Sequence, residues 1–472
     1  MKSSISSYSL RWMFLLVFAC FIIISLLPSS HLDQDVVWLN IISLSAFAML
    51  MTRLNKPFRE TLWVWVILCV FCVGYFFKTL LIASYLDDAD IINLINPEWG
   101  WLSAFSLSRG YYWITLAFVV FCVTSWLLLG TTKSVYLREK VIESKRGSYH
   151  RTMSFLLVIT ILSIFLMLLR VKLGIGIMGV QTDRLPFRMD TIIFRLQSYV
   201  LPVLFLLVVW VTERERWWRG WLMALACLLL YICLLSIVVA SRAGLVNFAL
   251  YTLCLWMVCG FLSWKRMSIV ALMGSGTLAF FPFVTAIRGA RMGGDLSLIS
   301  SLQIATGQFG GVDWVEMMRF VANHIILRVG GADGVWFVQG YAPDILSADW
   351  GGQGSILDGV VGFYTRNIVG VTHAADFRSP GIIGALMLLG GFFGVVVLWP
   401  ILLWLIHFIW TRFTRWNTSP VILATFACFL FGFMSEGTLQ VQDFISMLIA
   451  AFLCEWCYQR LLINKRLPRE HT

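Results

Sequence analysis

The side chains best suited to chemistry in this chain collect in one long polar stretch, residues 287–380. Guanidinium groups stay charged and present forked donors that suit phosphate, and histidine moves protons near neutral pH. A segment that concentrates these groups is expected to handle an anion. Its cationic and titratable residues are Arg288, Arg291, Arg319, His324, Arg328, Arg366, His373 and Arg378.

Arg242 stands in a much shorter interruption, Ser241–Gly244, between two apolar runs. The interruption leaves no room for a real loop, so two helices are expected to turn tightly there with Arg242 at the membrane boundary. An ionisable residue at that depth is a candidate for function. The alternative is an arginine that snorkels to lipid phosphate.

The arginines and histidines of the long stretch differ in what their spacing predicts. Arg288 and Arg291 lie three residues apart and either clamp a pyrophosphate or anchor the chain at the interface. His324 and Arg328 lie four apart on a predicted surface helix and therefore share a face, whereas Arg319 points roughly the other way. These three side chains are therefore not expected to line one pocket.

The remaining candidates are His373, Arg366, and the pair Arg184 and Arg188 of an earlier loop, 172–191. His373 precedes an apolar run and is the best placed general base. The alternative for the arginines is pairing with loop carboxylates, and the alternative for His373 is a solvated, inert loop histidine. The carboxylates available for such pairing include Asp183, Asp295, Asp313 and Glu316.

Composition places the chain in the membrane. Of its 472 residues 59% are hydrophobic and 13% charged, with a mean hydropathy of +0.83. Soluble domains have about 25% charged residues. The net charge of +11 raises the question of nucleic acid, but the basic residues lie in short loops between apolar runs. We therefore expect an integral membrane protein with no nucleic-acid partner.

Runs of about 20 apolar residues predict transmembrane helices. The chain has twelve such runs, so the predicted fold class is an all-α polytopic membrane protein with about 12 transmembrane helices. Predicted domains are nine helices in 1–286, a large outer loop in 287–380 and three helices in 381–472. The predicted spans are 12–28, 36–52, 61–85, 111–130, 153–171, 192–211, 221–240, 243–262, 268–287, 381–409, 419–435 and 440–459.

Loops rich in lysine and arginine alternate with acidic loops along the chain. This alternation predicts how the chain is oriented in the membrane. The loops 53–60, 131–152 and 212–220 are all basic, whereas 29–35 and 86–110 are acidic. Both termini are therefore predicted to be cytoplasmic. The arginine-rich stretch 287–380 then faces outward against the rule, which favours a functional reason for its charge.

Other polar residues in apolar segments give weaker signals. Lys78 lies inside the third predicted span and is expected to snorkel or pair, and Asp443 and Glu455 lie inside the last one. The eleven cysteines all lie in apolar runs, and no His cluster accompanies their two CxxC pairs. No P-loop or dinucleotide motif is present, so no cofactor and no metal are expected.

The motifs resemble those of the O-antigen polymerase and ligase group of bacterial membrane proteins, which includes Wzy-like oligosaccharide repeat-unit polymerases. Ser241–Gly244 is similar to the group's Ser-Arg-Gly/Ala turn, and His373 followed by Ser379–Gly384 is similar to its loop-ending histidine and helix start. Arg319 and Gly330 fit the Arg-x10-Gly spacing described for polymerases. Counting from Arg170 in the earlier loop reaches Gln181, which departs from that pattern.

The resemblance implies a GT-C-like glycosyltransferase whose donor is a glycan on undecaprenyl pyrophosphate. Polymerisation would occur at the periplasmic face of the bacterial inner membrane, without nucleotide or metal. Arg242 and Arg288 would bind the phosphates, the other outer cations would bind pyrophosphate or glycan, and His373 would be the base. Membrane lipid, a chain-length regulator and a flippase are the implied partners.

Three alternatives stay open. A ligase would share the donor and transfer the glycan to lipid A core instead. A polytopic lipid-linked glycan transporter or flippase would show repeated halves and broken helices at the midplane. A metal-dependent lipid-linked sugar transferase would use Asp87, Asp88 and Asp90 as oxygen ligands.

Overall fold

The computed structural model describes the helices together with short pieces between them. The described residues are 7–25, 35–84, 104–131, 149–175, 189–239, 243–260, 263–264, 266–269, 272, 283–284, 287, 303, 332, 334–336, 381–415, 419–436 and 441–459. Within these ranges the chain is almost wholly helical and has no β-strand. The predicted all-α class is therefore confirmed.

Fourteen α-helical segments, three of them continued through a π-helical turn, make up most of the described chain. They are α1 (Ser7–Ser25), α2 (Asp35–Met51), α3 (Phe58–Val70), π1 (Phe71–Phe77), α4 (Lys78–Ser84), α5 (Ala104–Thr131), α6 (Tyr149–Leu173), α7 (Met189–Arg195), π2 (Leu196–Val200), α8 (Leu201–Arg214), α9 (Trp218–Val239), α10 (Ala243–Val258), α11 (Gly381–Phe393), π3 (Gly394–Leu398), α12 (Trp399–Arg415), α13 (Pro420–Glu436) and α14 (Val441–Cys457).

Six helices are long and apolar enough to cross a membrane, and five more are apolar but shorter. All eleven fall on predicted spans, which bears out the multi-pass membrane character. The one other predicted span, the ninth (268–287), lies mostly outside the described residues, so the number twelve stays a prediction. The six long helices are Phe58–Ala83, Leu107–Thr131, Tyr149–Leu173, Met189–Arg214, Trp218–Val239 and Gly381–Thr414.

The chain forms two compact units that are not contiguous in sequence. Unit 1 consists of Met1–Ser134, Ala322–Trp416 and Phe429–Val441. Unit 2 consists of Val135–Val321, Asn417–Cys428 and Gln442–Thr472.

Unit 1 is built on an aromatic core. The ring of Phe18 lies 5.3 Å from Phe47 and 5.2 Å from Phe118, measured between centroids. Phe118 in turn contacts Phe71 and Phe76, each at 5.2 Å. Phe18 and Phe47 are stacked and the other three pairs are tilted or edge-on, which are arrangements that ring pairs favour. The cluster joins α1, α2, π1 and α5.

Unit 2 is organised around α8. Every residue from Leu201 to Thr212 is buried, which is the pattern of a helix packed on all sides. Helices α6, α9 and α10 pack against it. Tyr231 of α9 places its ring 5.5 Å from Phe205, so α9 packs along the N-terminal half of α8.

Two of the π-helical turns have a proline as their cause. π2 ends at Val200, two residues before Pro202, and π3 ends at Leu398, two residues before Pro400. Proline has no N–H and its ring crowds the preceding turn, so the regular ladder cannot run through it. The wider π turn absorbs the interruption without ending the helix.

Basic side chains at the predicted cytoplasmic ends of unit 1 donate to main-chain carbonyls of a helix end and of a turn. Lys56 Nζ donates to the Leu129 carbonyl at 2.6 Å, and Arg11 Nη2 donates to the Leu54 carbonyl at 2.7 Å. The helix dipole favours a cation at a helix C-terminus. Partial burial lowers the pKa of Lys56 from its usual value, and Glu60 opposes this effect.

The predicted cytoplasmic end of unit 2 has its own polar cluster. Glu213 forms an ion pair with Arg266 and accepts a hydrogen bond from Trp256 Nε1 at 3.0 Å. Arg214 Nη1 donates to the Tyr458 hydroxyl at 2.7 Å. Each of these contacts joins segments that the alternation of basic loops places on the same side of the membrane.

Candidate anion-binding site

The ten residues on which the sequence prediction rests all lie outside the described residues, so their roles stay predictions. For Arg242, the described helix ends constrain the connection: α9 ends at Val239 and α10 begins at Ala243. Only three residues separate them, as the tight-turn prediction requires. The ten residues are Arg184, Arg188, Arg242, Arg288, Arg291, Arg319, His324, Arg328, Arg366 and His373.

A part of the long polar stretch is packed against the helices of unit 1. Ala332, Val335 and Trp336 are fully buried. Trp336 Nε1 donates a hydrogen bond to Thr79 Oγ1 at 3.2 Å. The side chain of Trp336 also lies against Gly110 of α5. This piece of the predicted loop is therefore a core element, which its sequence did not indicate.

The chain that follows the long stretch attaches to the same helix. The N–H of Ile383, in the first turn of α11, donates to the Tyr75 hydroxyl at 3.5 Å. Tyr75 lies one turn before Thr79, and the Thr79 hydroxyl donates to the Tyr75 carbonyl at 2.6 Å. The span Phe58–Ala83 therefore contacts two separate parts of the chain, Trp336 and Ile383, within one turn of its length. We call Tyr75, Thr79, Gly110 and Trp336 the loop seat.

Lys78 lies beside this loop seat. It follows π1 directly, adjoins Thr79 in sequence and has no exposed surface. Snorkelling to the surface, one of the two expectations for this residue, is therefore wrong. An ammonium in a buried setting interacts with an anion more strongly than it does in water. π-Helical turns inside α-helices are frequent at functional sites.

A methyl group added at Gly110 is expected to loosen the loop seat. The Cβ of Gly110→Ala would stand 2.5 Å from Trp336 Cδ1, so the indole has to move. Gly130→Ala on the same helix is the matched control, because its Cβ meets only the Arg53 side chain at 3.5 Å or more. We expect proteolysis within 287–380 to quicken several-fold in Gly110→Ala only. Equal cleavage rates in the two variants would contradict the packing of Trp336 against Gly110 in the loop seat.

A second buried cation, Arg170, lies in unit 2. Its Nε donates to the Ile175 carbonyl at 2.7 Å and its Nη1 to Gln197 Oε1 at 3.0 Å. Tyr231 donates its hydroxyl proton to the Gln197 carbonyl at 2.7 Å. The guanidinium stands over the Phe194 ring, 4.9 Å from the centroid. Sequence reasoning missed this cluster, although a glutamine inside an apolar run was a signal for it.

The other ionisable residues predicted within the apolar segments are Glu455 and Asp443, and the structure describes the side chain of Glu455. Glu455 accepts a hydrogen bond from the Ser419 N–H at 3.2 Å, so it caps the start of α13. The side chain of Asp443, like Asp87, Asp88 and Asp90, lies outside the part of the chain that the structure describes. All eleven cysteines are free thiols, and among the described residues no group of His, Cys, Asp and Glu has metal-site geometry.

No protein-family model, no curated protein and no solved structure matches this chain.

Proposed function

We propose that the chain polymerises oligosaccharide repeat units carried on undecaprenyl pyrophosphate, at the periplasmic face of the bacterial inner membrane. In this proposal it is a GT-C-like glycosyltransferase that uses neither nucleotide nor metal. The multi-pass helical architecture, the predicted outward placement of the arginines and the sequence resemblance support it. The lipid-linked donor, membrane lipid, a chain-length regulator and a flippase are its proposed partners.

The observation that carries the proposal is a buried lysine beside the seat of the long polar segment. Lys78 is fully buried near the end of its span that is predicted to face outward. Trp336 and Ile383 attach to the same helix at Thr79 and Tyr75. A charge inside a membrane helix is costly and is usually kept for function. Lys78 adjoins in sequence the residue to which Trp336 of the long polar segment donates.

The proposed reaction needs positive charge and one base. An acceptor sugar hydroxyl attacks the anomeric carbon of the donor, and the bond from that carbon to the pyrophosphate oxygen breaks. The electron pair leaves with the pyrophosphate, which Lys78, Arg242 and Arg288 stabilise. His373 takes the hydroxyl proton. The other outer arginines and His324 bind the glycan and the phosphates. Cleavage of the activated anomeric phosphate supplies the driving force.

Surface glycan from a deletion strain, resolved on a gel, tests the proposal. The deletion is expected to leave single repeat units on core, and wild-type complementation is expected to restore the ladder. Arg242→Ala and His373→Ala should each shorten or abolish it at normal protein levels. Bare core in the deletion strain would indicate a ligase. Full ladders from both variants would remove these residues from the site.

A transporter of lipid-linked glycan is the second candidate, because one helix is broken. Gly390 and Gly391 leave helical geometry inside the span Gly381–Thr414, and discontinuous helices are typical of transporter binding sites. Purified protein in detergent separates the two candidates, since detergent leaves no two compartments. A polymerase elongates lipid-linked repeats there, whereas a transporter leaves them unchanged.

A further inference from the structure

The cluster around Arg170 has hydrogen-bonding capacity that the described chain does not use. Arg170 and Gln197 have no exposed surface, and Tyr231 is also buried. Arg170 Nη2 and Gln197 Nε2 are both buried without a partner among the described residues. Buried polar groups are nearly always paired, so two unused donors on adjoining side chains call for an explanation.

A purely structural role accounts for only part of this arrangement. Arg170 lies in the last turn of α6, and its Nε closes the turn to Ile175 after Gly174, which has a φ of 66°. A cation there also suits the helix dipole. That role uses one of the three guanidinium nitrogens. It does not explain the bond to Gln197 or the two unused donors.

The charge of the cluster is also unbalanced within the described chain. A guanidinium stays protonated in proteins, and here it has no carboxylate partner among the described residues. Asp190 lies two turns before Gln197 on the same helix, and one of its carboxylate oxygens is itself buried without a partner. The cluster therefore offers a net cation and two donors, with an unused acceptor two turns away on the same helix.

The two unused nitrogens are close together by covalent geometry. Arg170 Nη1 donates to Gln197 Oε1 at 3.0 Å. The unused Arg170 Nη2 is attached to the same carbon as Nη1, and the unused Gln197 Nε2 to the same carbon as Oε1. Two oxygens of one tetrahedral anion can therefore accept from both. Guanidinium forks favour this kind of planar, two-point recognition of phosphate. The Phe194 ring covers one face of the guanidinium, so the unused donor lies at its edge.

We propose that Arg170 and Gln197 form a binding site for the phosphoryl group of a lipid. The site lies at the end of α6 that is predicted to face outward, where lipid headgroups are found. The Asp190 carboxylate is suited to accept a hydrogen bond from a hydroxyl carried by the same headgroup. This site does not depend on the proposed transfer reaction, because binding is measured without any glycan donor.

Thermal unfolding of the delipidated full-length protein in detergent measures the binding. Short-chain phosphatidylglycerol is expected to raise the unfolding temperature with increasing concentration, since a ligand of the folded state stabilises it. The matching diacylglycerol, which lacks the phosphate, is expected to have no effect. Inorganic phosphate and pyrophosphate should act only at concentrations at least about tenfold higher. Equal potency would identify the free anion as the natural ligand of the same site.

Gln197→Glu is the decisive variant. Its carboxylate keeps the acceptor for Arg170 Nη1, removes the free donor and neutralises the guanidinium. We expect the ligand-free unfolding temperature to be retained or raised, and the affinity for phosphatidylglycerol to fall at least about tenfold. A variant acting only on structure would change stability and leave the lipid response intact. Wild-type affinity in Gln197→Glu would overturn the proposal.

Lys172→Gln is the matched control, because Lys172 is an exposed cation two residues from Arg170. Its affinity is expected to stay within about twofold of wild type. An equal loss in Lys172→Gln and Gln197→Glu would mean attraction to general surface charge, against the proposal. Asp183, in the segment after α6, is the carboxylate of this chain that would compete with a lipid phosphate for Arg170. If Asp183→Asn destabilises the ligand-free protein and phosphate lipids do not stabilise the wild type, an internal ion pair replaces the proposed site.

Discussion

Lys78→Met is expected to lower glycan polymerisation far more than it lowers the amount of folded protein. Loss of one positioned donor to a developing oxyanion typically lowers the rate about 10²- to 10³-fold. Desolvating a buried ammonium is also costly, and the apolar side chain of methionine, which is of similar length, avoids that cost and offsets part of the contacts that are lost. Lys78 has no exposed surface, so both arguments apply to it.

The two readouts together separate a functional lysine from a structural one. Polymerisation is read from the glycan ladder of a complemented deletion strain, and stability from thermal unfolding of the purified protein. Lys78→Arg keeps the charge and is expected to retain part of the activity. Arg109→Met, which removes an exposed cation from the predicted outer end of α5, should leave the ladder intact.

Two outcomes would contradict the role of Lys78. A normal ladder in Lys78→Met would show that the leaving pyrophosphate does not need this ammonium. A large fall in unfolding temperature, with the ladder lost in proportion to the amount of protein, would show that Lys78 stabilises the core and has no separate part in the reaction. Either result leaves Arg242 and His373 to be judged by their own variants.

Gly394→Ala is expected to prevent normal folding of the span Gly381–Thr414. A Cβ at Gly394 would overlap the carbonyl oxygen of Leu386 and stand 2.8 Å from its carbonyl carbon. Backbone cannot rotate away as a side chain can, so the helix itself has to shift. Overpacking of this kind costs about 1–3 kcal/mol or more. We expect much less monodisperse protein and a lower unfolding temperature.

Gly432→Ala provides the comparison, because a Cβ there meets nothing within 4 Å. Alanine is also the better helix former, so this change is expected to alter stability by less than about 1 kcal/mol. Size-exclusion profiles and unfolding temperatures of the two variants, expressed side by side, decide the matter. Wild-type behaviour of Gly394→Ala would mean that the close approach to Leu386 relaxes freely.

The break before Gly394 explains why this approach occurs. Gly391 has a φ of 53° and Gly390 also leaves helical geometry, so the chain changes direction within the span. Positive φ strains residues that carry a Cβ, and glycine avoids that strain. At about 1.5 Å per residue, the 34-residue helix would be longer than the roughly 30 Å hydrocarbon layer if straight. Three glycines within five residues let it bend.

The sequence by itself determined the helices of this protein. Eleven described helices fall on predicted spans, because bilayer-length apolar runs and the need to pair every backbone group are local constraints. Pro202 and Pro400 likewise account for the two π turns that precede them. The ten residues of the predicted site lie outside the described chain, so that prediction stays open. Lys78 was expected to snorkel or pair, and its burial excludes snorkelling.

Only the tertiary structure decided which polar residues meet. Trp336 and Thr79 are separated by 257 residues and Ile383 and Tyr75 by 308, and no local pattern relates them. Arg170 and Gln197, 27 residues apart, belong to two different apolar runs that look alike in sequence. Their contact depends on how α6 and π2 rotate as they pack. The length of an apolar run and the position of a proline act locally along the chain. Which polar residues contact each other depends instead on how helices that are distant in sequence pack together.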